Sequence, residues 1–294
     1  MEHMQRKEPH IDKKLQERLI RLPEINLNYE KSKDEVWADL SESIEASGVE
    51  PSGSVVEIFP GRIWLTAAAV VFVLLGTGLF MRLYTAEVNA PFGEHVLTQL
   101  PDDSEVKLNA GSSIRYKPFW WRFNRKVHLT GEAFFEVQKG GKFEVNSQAG
   151  KTIVLGTSFN IYARDNEYKV SCFTGKVRVV ARQSGHVLEI IANEQVTLNN
   201  EGSLRLYKMK NIEDAASWMN DMFVFTAMPL NDVFEEIERQ YNISISGSED
   251  LDYLYTGNFS RNQSAEEVLK MVCKPYGLQF RKSGQGFVIV NGQK

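Results

Sequence analysis

One uninterrupted apolar segment constrains this chain most: residues Ile63 to Met81 read IWLTAAAVVFVLLGTGLFM and stand between Arg62 and Arg82. As an α-helix rising ~1.5 Å per residue, the segment spans about 28 Å, close to the ~30 Å hydrocarbon core of a bilayer. A secretory signal has a shorter apolar run near its N-terminus, whereas sixty-two residues precede this one. A buried core helix is the alternative, but a segment that is apolar all round leaves no solvated face. The segment therefore predicts a transmembrane helix over residues 63–81.

Charge indicates which partners to expect on either side of this segment. Residues 1–62 hold 9 Lys/Arg and 13 Asp/Glu, while residues 82–294 hold 25 of each, and the whole chain of 294 residues has a net charge of −4. No long basic block could neutralise a phosphate backbone, so the expected partners are proteins rather than nucleic acids. Within twenty residues of the segment's ends, Arg62 is the one Lys or Arg on the N-terminal side and Arg82 is the one on the C-terminal side. The positive-inside rule therefore does not orient the segment.

Residues 1–62 form the first predicted region, a helical arm with a linker. Ile11, Leu15 and Leu19 follow the i, i+4, i+8 spacing of one helix face and predict a first helix. A capping box at Ser32 and Glu35 predicts a second helix. The second helix should present Val36, Trp37, Leu40 and Ile44 on one face. These helices either pack on each other or complete their burial on a partner protein. Both alternatives stay open because sixty residues make a poor core.

Two folded domains are predicted after the segment. Residues 85–200 contain short alternating runs separated by turn signals, which is typical of an all-β sandwich or roll. Residues 211–294 contain two β-α-β units, the second helix beginning at a capping box formed by Ser264 and Glu267, and these units predict a small α+β domain. Cys172 and Cys273 lie in apolar runs of different domains, so we expect buried thiols rather than a disulfide.

Motifs for chemistry are missing from the sequence. There is no zinc-protease, nucleophile-elbow, phosphate-loop or dinucleotide-binding motif, and the five histidines are scattered. We therefore expect no enzyme, no metal site and no cofactor. An aromatic stretch from Tyr116 to Phe123 is either a hairpin packed on the sheet or a binding surface, with Trp120 and Trp121 as its candidate partner-binding residues.

Four ordered blocks carry a family resemblance. They are Leu100 to Ala110 (LPDDSEVKLNA), Leu129 to Val137 (LTGEAFFEV), Val154 to Ile161 (VLGTSFNI) and Gly175 to Val177 (GKV). Residues 100–198 thereby resemble the FecR family of sigma-factor regulators. A second set of matching residues lies in residues 218–290: Trp218, Phe225, Pro229, Leu230, Glu238, Arg239, Tyr241, Asn242, Thr256, Gly257, Phe259, Glu266, Val268 and Leu269. Through them this region is similar to the C-terminal domain of Bacteroidetes-type members and to the short N-terminal domains of secretins and TonB receptors. Asp221 stands where a Gly is usual, and the arm is shorter than the sigma-binding module of many members.

The resemblance implies an anti-sigma factor or regulator of the inner membrane, with its N-terminus in the cytoplasm and its C-terminal domains in the periplasm. Such a protein relays a signal from a TonB-dependent outer-membrane receptor to an extracytoplasmic-function sigma factor, without a cofactor. The arm residues Leu15, Leu19, Val36, Trp37, Leu40 and Ile44 would then bind the sigma factor.

The sequence leaves two further questions open, the role of Gly156 and Thr157 and the function of the whole chain. Some members of the family are said to cleave themselves at a Gly-Thr bond, which makes Gly156 and Thr157 a candidate cleavage site. Alternatively, these two residues only serve the meeting of two strands. For the whole chain, the other function to consider is a membrane-anchored periplasmic scaffold or glycan- or protein-binding module without sigma-factor control.

Overall fold

The computed structural model describes residues 30–48, 60–164, 167–248 and 251–291. The chain divides into two compact units, Met1–Thr66 and Ala67–Lys294. In the first unit, helix α1 spans Lys33–Ala46 and begins at the predicted capping box: Glu35 N donates to Ser32 Oγ at 3.3 Å, and Ser32 N donates to the Glu35 carboxylate at 2.9 Å. The predicted helix with Leu15 and Leu19 lies outside the described residues.

Helix α2 spans Pro60–Leu83 and contains the apolar segment. Its part from Trp64 to Leu83 has a mean hydropathy of 2.1, and its side chains are not buried against the rest of the described chain. Among the described residues this is the one helix long and apolar enough to cross a membrane. Helix α2 fits a single-pass membrane anchor. It begins three residues before the predicted span of residues 63–81 and ends two residues after it.

The described residues of the β-domain form thirteen strands. They are β1 Ala86–Ala90, β2 Val96–Gln99, β3 Glu105–Leu108, β4 Ser112–Tyr116, β5 Arg125–Glu136, β6 Phe143–Asn146, β7 Gly150–Val154, β8 Ser158–Arg164, β9 Glu167–Cys172, β10 Lys176–Ala181, β11 Val187–Ile191, β12 Glu194–Leu198 and β13 Leu204–Lys208. One sheet has the order β1-β4-β5-β6-β7-β10-β11, and the other has the order β2-β3-β5-β8-β9-β12-β13. Among the strand pairs that the structure describes in this domain, only β5–β6 is parallel.

Strand β5 belongs to both sheets because it bends at Gly131. Residues before Gly131 pair with β4, and Gly131 and the residues after it pair with β8. Gly131 has φ +93°, and a Cβ there would lie 2.5 Å from Ser112 Oγ and 2.9 Å from Ser112 Cα. A close approach of the Ser112 backbone therefore accounts for the glycine at this position. The two sheets enclose one apolar core, in which Phe135 stacks on Phe159 with ring centroids 5.1 Å apart.

The C-terminal domain contains the two predicted β-α-β units. Its elements are β14 Met222–Pro229, α3 Leu230–Tyr241, β15 Ile245–Ser246, β16 Leu254–Ser260, α4 Ala265–Cys273, β17 Leu278–Ser283 and β18 Gly286–Asn291. Strands β14 and β16 form an antiparallel pair, while β15 and β17 flank β18 in a second small sheet. Short 3-10 helices cover Pro118–Trp120, Ile212–Asn220 and Lys274–Tyr276.

Two details of the sequence find a structural reason in these domains. The capping box of Ser264 and Glu267 begins α4, and both cysteines are free and buried, as predicted. Asp221 adopts φ +56°, a left-handed conformation that Gly enters freely and that Asp tolerates better than most residues. Its carboxylate lies 3.5 Å from Arg261 Nε and 3.7 Å from His95 Nδ1, so the aspartate adds charge contacts that a glycine could not make.

Candidate functional site

Three buried polar side chains of the β-domain meet at its boundary with the C-terminal domain. Asn109, Glu132 and Asn160 come from three of the four sequence blocks described above. Asn109 Nδ2 donates to one oxygen of the Glu132 carboxylate at 2.8 Å, and Asn160 Nδ2 donates to the other at 2.8 Å. Both carboxylate oxygens are thus bonded inside the protein, where an unpaired carboxylate would carry a large desolvation cost.

Helix α3 continues this network across the boundary between the two domains. Gln240 Nε2 donates to Asn109 Oδ1 at 2.8 Å and to Glu236 Oε1 at 2.7 Å. Asn160 Nδ2 also donates to the carbonyl oxygen of Ala215 at 2.8 Å. We call Asn109, Glu132, Asn160, Glu236 and Gln240 the junction. It joins the two domains through polar contacts whose members are all buried.

Further contacts surround the junction. Gly93 N donates to the carbonyl oxygen of Arg239 at 2.8 Å, and Lys107 Nζ donates to the carbonyl oxygen of Met219 at 2.6 Å. The His95 ring lies edge-on to Trp218, with ring centroids 5.3 Å apart. Because backbone groups take part on both sides, the contact fixes one relative orientation of the two domains.

The charges at the junction divide into two carboxylates with opposite behaviour. Burial, followed by the nearby Glu236 charge, raises the pKa of Glu132 to about 6. Burial also opposes ionisation of Glu236, but the positive charges of Arg239 and Arg164, together with hydrogen bonds from Gln240 and Arg239, lower the pKa of that carboxyl. Arg239 Nε donates to the Glu236 carboxylate at 3.0 Å. Glu236 is therefore held ionised, while Glu132 takes up a proton near pH 6.

A cavity of about 280 Å³ opens beside the junction. Glu132, Tyr162, Trp218, Glu236 and Arg239 are among the residues that line it. In the part of the chain that the structure describes, no group of three or more His, Cys, Asp or Glu side chains could hold a metal ion. What the arrangement can do is couple the position of one domain to the protonation state of Glu132, or to an occupant of the cavity.

The predicted sigma-binding residues on α1 are exposed. Trp37 is 71 % exposed and Ile44 is 66 % exposed, and Val36 and Leu40 lie beside them on the same face. No residue of this helix is buried. The helix therefore presents an apolar face, made of Val36, Trp37, Leu40 and Ile44, that no described part of the chain covers.

The two tryptophans predicted as partner-binding residues have different positions. Trp121 is only 4 % exposed and packs edge-on against Tyr116 and Phe143. The prediction for Trp121 was wrong, because a side chain enclosed in the core has no surface to offer a partner. Trp120 is 37 % exposed and lies beside Phe123, so it remains available for contacts.

The candidate cleavage site lies where the backbone is crowded. A Cβ at Gly156 would lie 2.8 Å from Lys139 Cα, and Thr157 is buried with its Oγ1 donating to the carbonyl oxygen of Lys176 at 3.2 Å. Packing thus accounts for the Gly without any chemistry. Self-cleavage at this bond stays a prediction.

Sequence reasoning did not identify the junction, although its β-domain residues stand inside the quoted blocks. A signal was present in α3, where Glu236 and Gln240 fall on the same side of the helix as the apolar residues that pack on the sheet. Polar residues on a buried helix face indicate a polar partner surface.

Comparison with known proteins agrees with this architecture. The family model "FecR protein" matches residues 86–178, and the model "FecR, C-terminal" matches residues 222–289. Two crystal structures of a candidate anti-sigma factor from Parabacteroides distasonis ATCC 8503, at 1.65 and 2.50 Å resolution, are both 31 % identical to this chain. They match with TM-scores of 0.64 and 0.65 over 70 % and 71 % of this chain and 99 % of the other. No protein of curated function matches the sequence. The chain belongs to the FecR family of sigma-factor regulators.

Proposed function

We propose that this chain is a single-pass anti-sigma regulator of the bacterial inner membrane. Residues 1–62 are its cytoplasmic arm, residues 63–81 cross the membrane, and the domains at residues 85–200 and 211–294 lie in the periplasm. The exposed apolar face of α1 carries the proposal, since it is the surface on which a cytoplasmic partner would be held. The family is regulatory rather than enzymatic, and this role requires no cofactor.

The apolar face of α1 has the form of a helix that completes its burial on another protein. Four apolar side chains follow one another at positions 36, 37, 40 and 44, the spacing of one helix face. Burying each such side chain stabilises a complex by about 1.5–3 kcal/mol before the cost of association is subtracted. An extracytoplasmic-function sigma factor is the partner that the family supplies for this face. Leu15 and Leu19 would extend the same contact.

The periplasmic part would receive its signal from a TonB-dependent outer-membrane receptor. The C-terminal domain is held to the β-domain through the buried junction, so a partner that binds the C-terminal domain can shift the β-domain to which α2 is attached. The β-domain follows directly on α2, with β1 beginning three residues after the helix ends. A change at the junction can therefore reach the membrane helix without a long linker.

The experiment for the cytoplasmic step is a capture of purified host sigma factors by the full-length chain in detergent. Trp37→Asp places a charge in the middle of the apolar face, and we expect it to abolish capture. Ala38→Asp adds the same charge to the other side of the same helix and should leave capture unchanged. Equal capture by the native chain and the Trp37→Asp variant would contradict the proposal.

The experiment for the periplasmic step is a binding titration between the chain in nanodiscs and the periplasm-facing extension of the receptor. We expect saturable binding that an excess of the isolated C-terminal domain, residues 211–294, competes away. If the extension binds no better than an unrelated periplasmic domain, the receptor is not the source of the signal. The alternative, a membrane-anchored scaffold, would then gain support.

A further inference from the structure

The loop between β4 and β5, residues 117–124, presents aromatic side chains at the surface. We call it the aromatic loop. Phe123 is 73 % exposed, and Phe119 and Trp120 are partly exposed beside it. Trp121 of the same loop is buried and fixes the loop to the core. We propose that the aromatic loop is a second membrane anchor, whose three exposed rings insert into the headgroup layer of the bilayer that α2 spans.

The position of the aromatic loop relative to α2 is the first argument. Phe80 belongs to the apolar segment, and its ring packs on Tyr84 with centroids 5.6 Å apart. Tyr84 in turn packs on Phe119, with centroids 5.5 Å apart. Lys117 Nζ donates to the carbonyl oxygen of Arg82 at 3.2 Å. Two ring contacts thus connect the apolar segment to the loop, which places the loop at the level where α2 leaves the hydrocarbon core.

The kind of side chain at this level is the second argument. Aromatic residues are enriched at membrane–water interfaces, because a ring can lie in the apolar layer while its edges contact headgroups. The Arg82 guanidinium lies 5.7 Å from the centroid of the Trp120 ring, which joins a cation to an aromatic ring where the phosphates would lie. Exposed rings gathered at the end of a membrane helix therefore match the chemistry of the interface.

Charge is the third argument. Residues 115–126 contain five Lys or Arg residues and no Asp or Glu. Arg125 is paired with Asp102 and Lys126 with Glu144, whereas Lys117 and Arg122 are exposed. Basic residues near a membrane surface are attracted to anionic lipid phosphates. A loop with exposed rings and basic side chains fits a bilayer that contains phosphatidylglycerol better than it fits a purely apolar protein groove.

The inference rests on the proposed membrane span of α2 and adds a function to it. With α2 alone as an anchor, the β-domain could rotate about the end of the helix. Insertion of the aromatic loop would hold the domain against the membrane in one orientation, and this second attachment would set the direction in which a shift at the junction acts on α2.

The test uses the full-length chain in nanodiscs of phosphatidylethanolamine and phosphatidylglycerol, with a nitroxide label on a single introduced cysteine. The labelled variants are Phe123→Cys in the loop, Val73→Cys in α2 and Leu254→Cys in the C-terminal domain. All three native side chains are exposed, so each substitution should leave the fold intact. Collisions with oxygen, which concentrates in lipid, are compared with collisions with a water-soluble nickel chelate. The unsubstituted chain, with both native thiols buried, gives the labelling background.

We expect the Phe123 and Val73 labels to collide mainly with oxygen and the Leu254 label to collide mainly with the nickel chelate. If the Phe123 label behaves like the Leu254 label while Val73 still reports lipid, the loop lies in water and the inference is wrong, although the span holds. If Val73 also reports water, the span fails and the inference fails with it. A second loop variant, Phe119→Cys, must give the same result as Phe123→Cys.

Discussion

The side-chain amide of Gln240 donates a hydrogen bond to the side-chain oxygen of Asn109 at 2.8 Å, across the boundary between the β-domain and the C-terminal domain. Both residues are buried, and they lie 131 positions apart in the sequence. Asn109 also binds Glu132, and Gln240 also binds Glu236, so this single bond connects the polar groups of two domains. This polar network therefore helps to hold the two domains together, beside the apolar packing of Phe134 against the C-terminal domain.

Removing either partner of this bond should destabilise the protein. Asn109→Ala or Gln240→Ala leaves buried polar groups without a partner, which costs about 1–3 kcal/mol each. The free energy of unfolding of the double variant should fall by less than the sum of the two single losses, with a coupling energy of about 1 kcal/mol. Urea unfolding of a fragment covering residues 84–294 measures these values. Gln138 is exposed and makes no contact with Asn109 in the described structure, so pairing Gln138→Ala with Asn109→Ala gives the additive control.

The raised pKa of Glu132 predicts a pH dependence of stability. In the folded chain the pKa of Glu132 is about 6, whereas the ordinary pKa of a glutamate is 4.5. The folded state therefore binds the proton first as the pH falls, so the contribution of Glu132 to stability is fully present below about pH 4.5 and is lost as the pH rises through about 6. For this shift the contribution amounts to about 2 kcal/mol.

Comparison with Glu132→Gln isolates this contribution. The variant cannot titrate at this position, so the difference in unfolding free energy between it and the native fragment should change by about 2 kcal/mol between pH 7.5 and pH 4.5. His95 and His128 have lowered pKa values and act in the opposite direction in both proteins, so they cancel in the difference. A difference that does not vary with pH would show that Glu132 titrates normally.

Strand β5 should not tolerate a side chain at Gly131. Gly131→Ala combines a left-handed φ of +93° with a contact of 2.9 Å to Ser112 Cα, and backbone at Ser112 cannot move aside freely. We expect a loss of roughly 2–4 kcal/mol in the free energy of unfolding. Gly141→Ala is the control, since a Cβ there would meet nothing within 4 Å, and its effect should be below about 0.5 kcal/mol. Equal effects of the two variants would contradict the account of the bend.

The adjacent tryptophans of the aromatic loop should separate stability from surface contacts. Trp121→Ala opens a cavity in the core and should cost about 3–5 kcal/mol, whereas Trp120→Ala should cost less than about 1 kcal/mol. Thermal unfolding of the same fragment in the absence of lipid measures both. If Trp120→Ala were the more destabilising change, the assignment of Trp121 to the core would be wrong.

The sequence predicted those features that depend on residues close together in the chain. Both capping boxes and the two β-α-β units follow from local patterns, and all are present in the structure. The distinction between Trp120 and Trp121 depends instead on which way each side chain points from a short 3-10 turn, Pro118–Trp120. No periodicity extends over so short a segment, so the sequence could not separate the two.

The junction could not be predicted for a different reason. Asn109, Glu132 and Asn160 come from three separate strands or turns, and Gln240, which bonds Asn109, lies in another domain. Polar residues in a β-domain are ordinarily interpreted as turn or surface residues, and only the sheet order brings these three together. The chemistry of the site therefore depends on long-range topology rather than on any local motif.

The central claim is that the apolar face of α1 holds a sigma factor at the membrane. The most direct measurement is the fraction of the cognate sigma factor that sediments with inner membranes from cells that express the full-length chain, the Trp37→Asp variant or the Ala38→Asp variant at equal levels. The account predicts that the native chain and Ala38→Asp retain the sigma factor and that Trp37→Asp releases it into the soluble fraction. Retention that is the same in all three, or absent from all three, would contradict the claim.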